Sequence, residues 1–194
     1  QDGKILYEND IEKQVVYTPQ TSYVVTKILS NLYAASGISL KDVAVVGKSG
    51  TTTDYYDRWF VGYSPNFLAG IWWGYDIPAT NENRHHFTLW SEVMQQIHDR
   101  AGITSASFEA PADIVECSYC SVSGQLPGPY CGMDPLGSTV RSGVYKKGTE
   151  PTETCKTHHQ LYICADSGQI AHENCPNAYL AVFRDVQRSF PLTH

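Results

Sequence analysis

Val43-Ala44-Val45-Val46-Gly47-Lys48-Ser49-Gly50-Thr51-Thr52 is the stretch whose reading decides the fold. Val43 to Val46 is a continuous apolar run, the pattern of a buried strand, and it leads into Gly47. The polar end of the stretch has its own logic. Lys48 supplies a positive charge, while Ser49, Thr51 and Thr52 supply hydroxyl donors. Gly50 carries no side chain, so a substrate backbone can lie close against the strand. An exposed strand edge offers N–H groups that pair with an extended peptide, and one such N–H can help hold an oxyanion. The combination predicts a carboxylate-binding strand edge.

Working outward, Trp59 to Tyr63 and Phe67 to Trp73 read as two further strands. Ser64-Pro65-Asn66 between them is a turn signal, which predicts an antiparallel hairpin. Their apolar runs fit strands buried on both faces, with Trp72-Trp73 in the core. Upstream, Thr18 can cap a helix, Pro19 suits its first position and Gly37 can end it. Tyr23, Val24, Ile28, Leu29 and Leu32 give it one apolar face. Asp2-Gly3 and Ile5-Leu6-Tyr7 suggest a hairpin over residues 1–10. Downstream, a polar loop from Thr80 to His86 precedes a second helix, capped by Thr88 and stopped by Gly102. Leu89, Val93, Met94 and Ile97 are its expected inward set.

From about Ser105 to Pro111 the pattern fades into a linker, after which the chain changes character. All 6 cysteines fall in the tail, at 117, 120, 131, 155, 164 and 175. Cys120-Ser121-Val122-Ser123-Gly124-Gln125-Leu126 is echoed by Cys164-Ala165-Asp166-Ser167-Gly168-Gln169-Ile170. Each copy reaches a further cysteine at the same distance, Cys131 and Cys175. Two copies are too few for a solenoid and read as two hairpin-like modules with Ser-Gly turns. A cysteine-free half held by a hydrophobic core thus joins a stapled half.

Composition excludes several classes. At 194 residues and a net charge of −6, with 42% hydrophobic residues, the chain is globular and lacks the clustered Lys and Arg of a nucleic-acid binder. No apolar run approaches the roughly 20 residues of a membrane span. Gln1-Asp2-Gly3-Lys4 reads like the middle of a longer protein, so any membrane anchor is expected upstream.

Lys48-Ser49-Gly50-Thr51-Thr52 resembles the Lys-Thr/Ser-Gly box of penicillin-binding proteins and serine β-lactamases. Asp57-Arg58-Trp59-Phe60-Val61-Gly62-Tyr63-Ser64-Pro65 and Ala69-Gly70-Ile71-Trp72-Trp73-Gly74-Tyr75-Asp76 look like the strands after that box in the bifunctional, class A penicillin-binding proteins. Thr18-Pro19-Gln20 matches the family's lead-in helix. The resemblance covers roughly residues 1–110, and the tail, with Gly148-Thr149-Glu150-Pro151, is similar to extensions of some members. It implies an α/β fold for residues 1–110: the C-terminal part of a transpeptidase domain, an antiparallel sheet flanked by helices and completed by sequence elsewhere. Residues 111–194 would be a small disulfide-rich β appendage. It also implies peptidoglycan D,D-transpeptidation, in which a serine attacks a stem peptide ending in D-Ala-D-Ala and a second stem's amine resolves the acyl-enzyme. β-Lactams mimic that terminus. Lys48, Ser49, Gly50, Thr51 and Thr52 would then bind substrate, with the Thr51 backbone N–H as an oxyanion donor. The parent would work outside the cytoplasmic membrane, with a glycosyltransferase upstream.

The chain departs from the family where the chemistry starts. No serine has a lysine three residues later. Ser64-Pro65-Asn66 matches the Ser-x-Asn box in letters only, since it follows the lysine box and sits in a turn. The reading is therefore a transpeptidase fragment without its nucleophile; the alternative is a non-catalytic cell-wall or protein-binding module. A phosphate-binding loop fails because Asp42 stands where a glycine is required.

For the tail, the equal spacings favour disulfides Cys120–Cys131 and Cys164–Cys175, leaving Cys117 with Cys155. The competing reading is a zinc site of Cys117, Cys120, Cys155 and His158 or His159. Disulfides are preferred here, and no metal or cofactor is assigned. His85-His86 and His158-His159 are expected in surface loops. Asp54 and Asp57 are expected to serve turns or ion pairs.

Overall fold

In a computed structural model, the described residues are 14–30 and 37–185 in full, with the backbone alone for 31–33. The hairpin expected over residues 1–10 and the side chain of Leu32 lie outside them. The chain divides into two compact units, Gln1–Ala112 and Asp113–His194.

In the first unit, helix α1 runs Pro19–Tyr33, and the Thr18 hydroxyl accepts a hydrogen bond from the Thr21 N–H at its start. Strands β1 (Val46–Thr51), β2 (Arg58–Tyr63) and β3 (Leu68–Trp73) form an antiparallel sheet in the order β1-β2-β3. Helix α2 (His85–Arg100) packs on it. The strand begins later than the apolar run predicts. Val43 makes only an isolated bridge to Ala106, and β1 carries the Gly47–Thr51 segment itself.

Two glycines let the layers close. Gly47 and Gly62 pair directly across β1 and β2. A Cβ on Gly47 would stand 2.4 Å from the Phe60 ring, and one on Gly62 would stand 2.7 Å from the Trp90 ring. With both absent, Phe60 packs edge-on against Trp90 and Phe87, at centroid distances of 5.0 and 5.4 Å. Ile38 and Met94 complete this core. Each such side chain contributes about 1.5–3 kcal/mol by leaving water.

Several expectations change here. The inward row of α2 is His86, Trp90, Met94 and His98. Leu89, Val93 and Ile97 are exposed. The larger aromatic and imidazole side chains fill the space over the sheet and rotate the aliphatic row outward. The helix also begins at His85 rather than near Thr88, because the Asn83 side chain accepts the His85 N–H. His86 is consequently helical and buried. On α1, Ile28 is exposed. The strands are not buried on both faces: Trp59, Val61 and Trp72 stay exposed.

In the second unit, β4 (Ile114–Cys120) pairs with β5 (Val140–Lys146), and β6 (His158–Cys164) pairs with β7 (Ala178–Arg184). The repeat survives in the backbone. Gly124 and Gly168 both take left-handed φ, 73° and 69°, and donate to Cys120 and Cys164 respectively. The expected disulfides are overturned: all six cysteines are free thiols. Cys117 and Cys120 are three apart on β4 and so project to opposite faces, while Cys155 joins Cys120 rather than Cys117. The appendage is therefore a pair of β hairpins whose buried cluster is Cys120, Cys131 and Cys155.

Candidate functional site

Lys48, Ser49, Gly50, Thr51 and Thr52 form one continuous exposed segment at the end of the sheet. Register decides which way they face. Lys48 opposes Val61, and Gly50 opposes Trp59, which in turn opposes Trp72. Directly paired residues share a face, so Lys48 and Gly50 lie on the Trp59–Val61–Trp72 side. Ser49 opposes Phe60 and so belongs to the α2 side. Among the described residues β1 pairs through one edge only, with β2. The Lys48 ammonium donates to the Ser49 carbonyl at 2.7 Å.

The far end of β1 is fixed by a small polar lock. The Thr52 hydroxyl donates to Asp57 Oδ2 at 3.2 Å and accepts from the Asp57 N–H at 2.9 Å. Trp72 Nε1 donates to Asp57 Oδ1 at 2.9 Å. Asp57 thus serves the turn, as expected. Trp72 sits at the surface in that lock rather than in the core. Beside it, Thr51, Thr52, Thr53, Asp54, Tyr55 and Thr80 line an open groove.

Ser64 is remote from this edge. It follows Tyr63, which pairs with Val46 at the opposite end of β1. Its buried hydroxyl lies 2.9 Å from His98 Nε2 and accepts the Asn66 and Phe67 N–H groups. His98 Nδ1 lies 2.7 Å from the Met94 carbonyl, so Nδ1 carries the proton and Nε2 accepts from Ser64. The hydroxyl is committed to tying α2 to the β2–β3 turn.

The second unit holds a different cluster. The Sγ atoms of Cys120, Cys131 and Cys155 and a ring nitrogen of His158 all lie within 4.8 Å of one another, and all four residues are buried. His158 Nδ1 is 3.7, 3.4 and 3.4 Å from the three sulfurs in that order. Its Nε2 is 3.0 Å from Asp134 Oδ2, and Arg184 Nη2 donates to Asp134 Oδ1 at 2.7 Å. Burial pushes the Cys155 thiol up, but hydrogen bonds from Ser123 and His158 outweigh it and hold the group down at about 5. Burial pushes Cys131 up to about 11.

The zinc alternative read from sequence anticipated three of these donors, Cys120, Cys155 and His158, and took Cys117 in place of Cys131. The expected surface placement of His158 is also corrected. Neighbours on β6 face opposite ways, so His158 is buried and His159 exposed. Strand alternation alone separates Cys117 from Cys120. Nothing in the sequence singled out Asp134 or Arg184.

Comparison with known proteins adds kinship. Residues 110–160 match the family described as penicillin-binding protein 1A, C-terminal domain. The chain is 29% identical over 182 residues to penicillin-binding protein 1A of Clostridium botulinum (strain Langeland), covering 90% of this chain and 22% of the relative. It is 30% identical over 167 residues to penicillin-binding protein 1A of Clostridium perfringens, covering 83% and 20% respectively. The chain thus spans about a fifth of the length of these curated relatives. The crystal structure of penicillin-binding protein 1A from Haemophilus influenzae matches 62% of this chain and 17% of its own, with a TM-score of 0.43 and 25% identity.

Proposed function

We propose that the first unit of this chain, which belongs with the C-terminal portions of the class A penicillin-binding proteins, is one wall of a peptidoglycan D,D-transpeptidase site. Lys48 is the electrostatic anchor for the terminal carboxylate of a D-Ala-D-Ala stem peptide. Ser49 and Thr51 lie on the α2 side of the strand, opposite Lys48, so their hydroxyls would reach a ligand lying along the outer strand edge from the other face, and the Thr51 N–H would meet an oxyanion there. Gly50 keeps the approach open to a peptide backbone. Thr52 works indirectly, since its hydroxyl holds Asp57 and fixes the end of the strand. β-Lactams would use the same anchor.

The observation that carries this reading is the exposure of Lys48 on a strand that, among the described residues, pairs along one edge, beside Trp59, Val61 and Trp72, which are 47, 45 and 43% exposed. Such apolar surface fits a wall completed by further chain. That further chain would also bring the Ser-x-x-Lys nucleophile and any membrane anchor, placing the site outside the cytoplasmic membrane. Among the described residues no helix is long and apolar enough to cross a membrane.

The test is amide chemical-shift mapping of the 194-residue chain with a peptide ending in D-Ala-D-Ala and with its C-terminal amide. The free acid should bind with Kd on the order of millimolar, shifting Lys48 to Thr51. The amide, or Lys48→Ala, should weaken binding at least about tenfold, the loss of one charge-assisted hydrogen bond. Equal shifts from acid and amide, or shifts confined to the second unit, would overturn the reading in favour of a binding module.

A further inference from the structure

We infer that Cys120, Cys131, Cys155 and His158 bind a single structural zinc ion that joins the two hairpins of the second unit. The first argument is distance. Tetrahedral zinc with bonds of about 2.3 Å to sulfur and 2.0–2.1 Å to nitrogen places sulfur and nitrogen ligands roughly 3.6 Å apart. His158 Nδ1 lies 3.4 to 3.7 Å from all three sulfurs. One ligand atom from each of four residues fills a tetrahedral shell and leaves no open position, which is the arrangement of a structural rather than a catalytic site.

The second argument is the surroundings. A metal-bound imidazole characteristically gives its other nitrogen to a carboxylate, which fixes the ring. His158 Nε2 meets Asp134, which Arg184 holds in turn. The Gly128 N–H donates to Cys131 Sγ at 3.2 Å, and the Thr139 hydroxyl lies 3.6 Å from Cys120 Sγ. The Gly128 N–H aimed at sulfur suits a thiolate better than a dry thiol, while the Thr139 hydroxyl gives its own proton to the Cys131 carbonyl.

The third argument is the unit's need for a staple. Among the described residues its buried apolar side chains are the three clustered cysteines with Val140 against them and, apart from these, Ile163, Cys164 and Val182, and a domain this small with so little apolar core ordinarily requires a cross-link or a metal. With the six thiols unpaired, a metal is the remaining device. Its ligands span both hairpins: Cys120 ends β4, Cys131 and Cys155 lie in the connecting segments, and His158 opens β6. Three thiolates and an imidazole select zinc over the harder divalent cations. Cys164 and Cys175 mark the corresponding positions of the second hairpin, but among the described residues no such four-donor group forms there.

The experiment is metal analysis and native mass spectrometry of the whole chain purified under reducing conditions with zinc present, together with cobalt substitution. The expected result is one zinc per chain, and a cobalt form with tetrahedral ligand-field bands and thiolate charge-transfer absorption. Cys155→Ser and His158→Ala should lose the stoichiometric metal, while Cys117→Ser and Cys164→Ser keep it. Asp134→Asn, a change to a positioning residue, should weaken zinc binding roughly 10–100-fold. A metal-free chain, an octahedral cobalt spectrum without thiolate bands, or a stoichiometry lowered by Cys164→Ser and untouched by Cys155→Ser would overturn the proposal. The cobalt spectrum of the unaltered chain decides the matter even where a ligand variant fails to fold.

Discussion

Burial, with the Arg58 and Arg84 guanidinium groups nearby, holds the His86 imidazole below its ordinary pKa. The unfolded chain takes up a proton there near 6.5, whereas the folded chain does so only at lower pH. Below about pH 6.5 the unfolded state therefore binds more protons, and stability falls with acidification. The stability that His86 contributes as a neutral ring is present above that pH and is lost on the way down to its folded value. The unfolding midpoint of the natural chain should accordingly drop more steeply below pH 6.5 than that of His86→Leu. Parallel pH profiles for the two proteins would refute the assignment. Ser64 supplies a second residue-scale prediction. Ser64→Ala leaves His98 Nε2 without its buried partner and frees two turn N–H groups. The expected cost is about 1–3 kcal/mol, read as a lowered midpoint in thermal or denaturant unfolding. A loss below a few tenths of a kcal/mol would mean that the turn repairs itself. Neither role was legible in sequence. A histidine in a polar stretch and a serine in a turn both look like surface residues until the helix that buries them is in place.

Helix α2 shows where sequence reading succeeds and where it stops. Its existence, its end at Gly102 and its packing role follow from periodicity. Of its inward row only Met94 does, because Leu89-Val93-Ile97 and Trp90-Met94-His98 are neighbouring rows on one helix, and only the shape of the opposing sheet chooses between them. The strands were placed to within a few residues, apart from the first. There the apolar run ends as the ladder begins, since Gly47 and Gly50 pair in β1 despite their weak strand preference. The same pairing makes a prediction for the element. Gly47→Ala would force its Cβ against the Phe60 ring and the Val61 carbonyl, 2.4 and 2.7 Å away. The expected destabilisation is about 1–3 kcal/mol from overpacking, accompanied by a change in near-ultraviolet circular dichroism as Phe60 shifts against Trp90. An unchanged spectrum and midpoint would show that β1 is held more loosely than its register implies.

At the scale of the whole chain, two kinds of stabilisation coexist. The first unit closes on Ile38, Phe60, Trp90 and Met94, and it contains all 4 tryptophans, at 59, 72, 73 and 90. The second buries thiols and an imidazole. That contrast was legible early, as a cysteine-free half and a cysteine-rich half. The nature of the staple was not, because equal spacing along a chain says nothing about which faces of a strand the sulfurs occupy. If the staple is zinc, its binding energy is folding energy for the second unit. A strong chelator should then raise the reaction rate of Cys120, Cys131 and Cys155 with a thiol reagent from very slow to that of open chain. Added zinc should restore protection. Tryptophan emission should keep its native maximum throughout, since the core around Phe60 and Trp90 has no ligand to lose. Thiols that react equally fast before and after chelation would remove the metal from this account. A red shift of the emission in step with thiol exposure would show instead that the first unit's core depends on the second unit's fold.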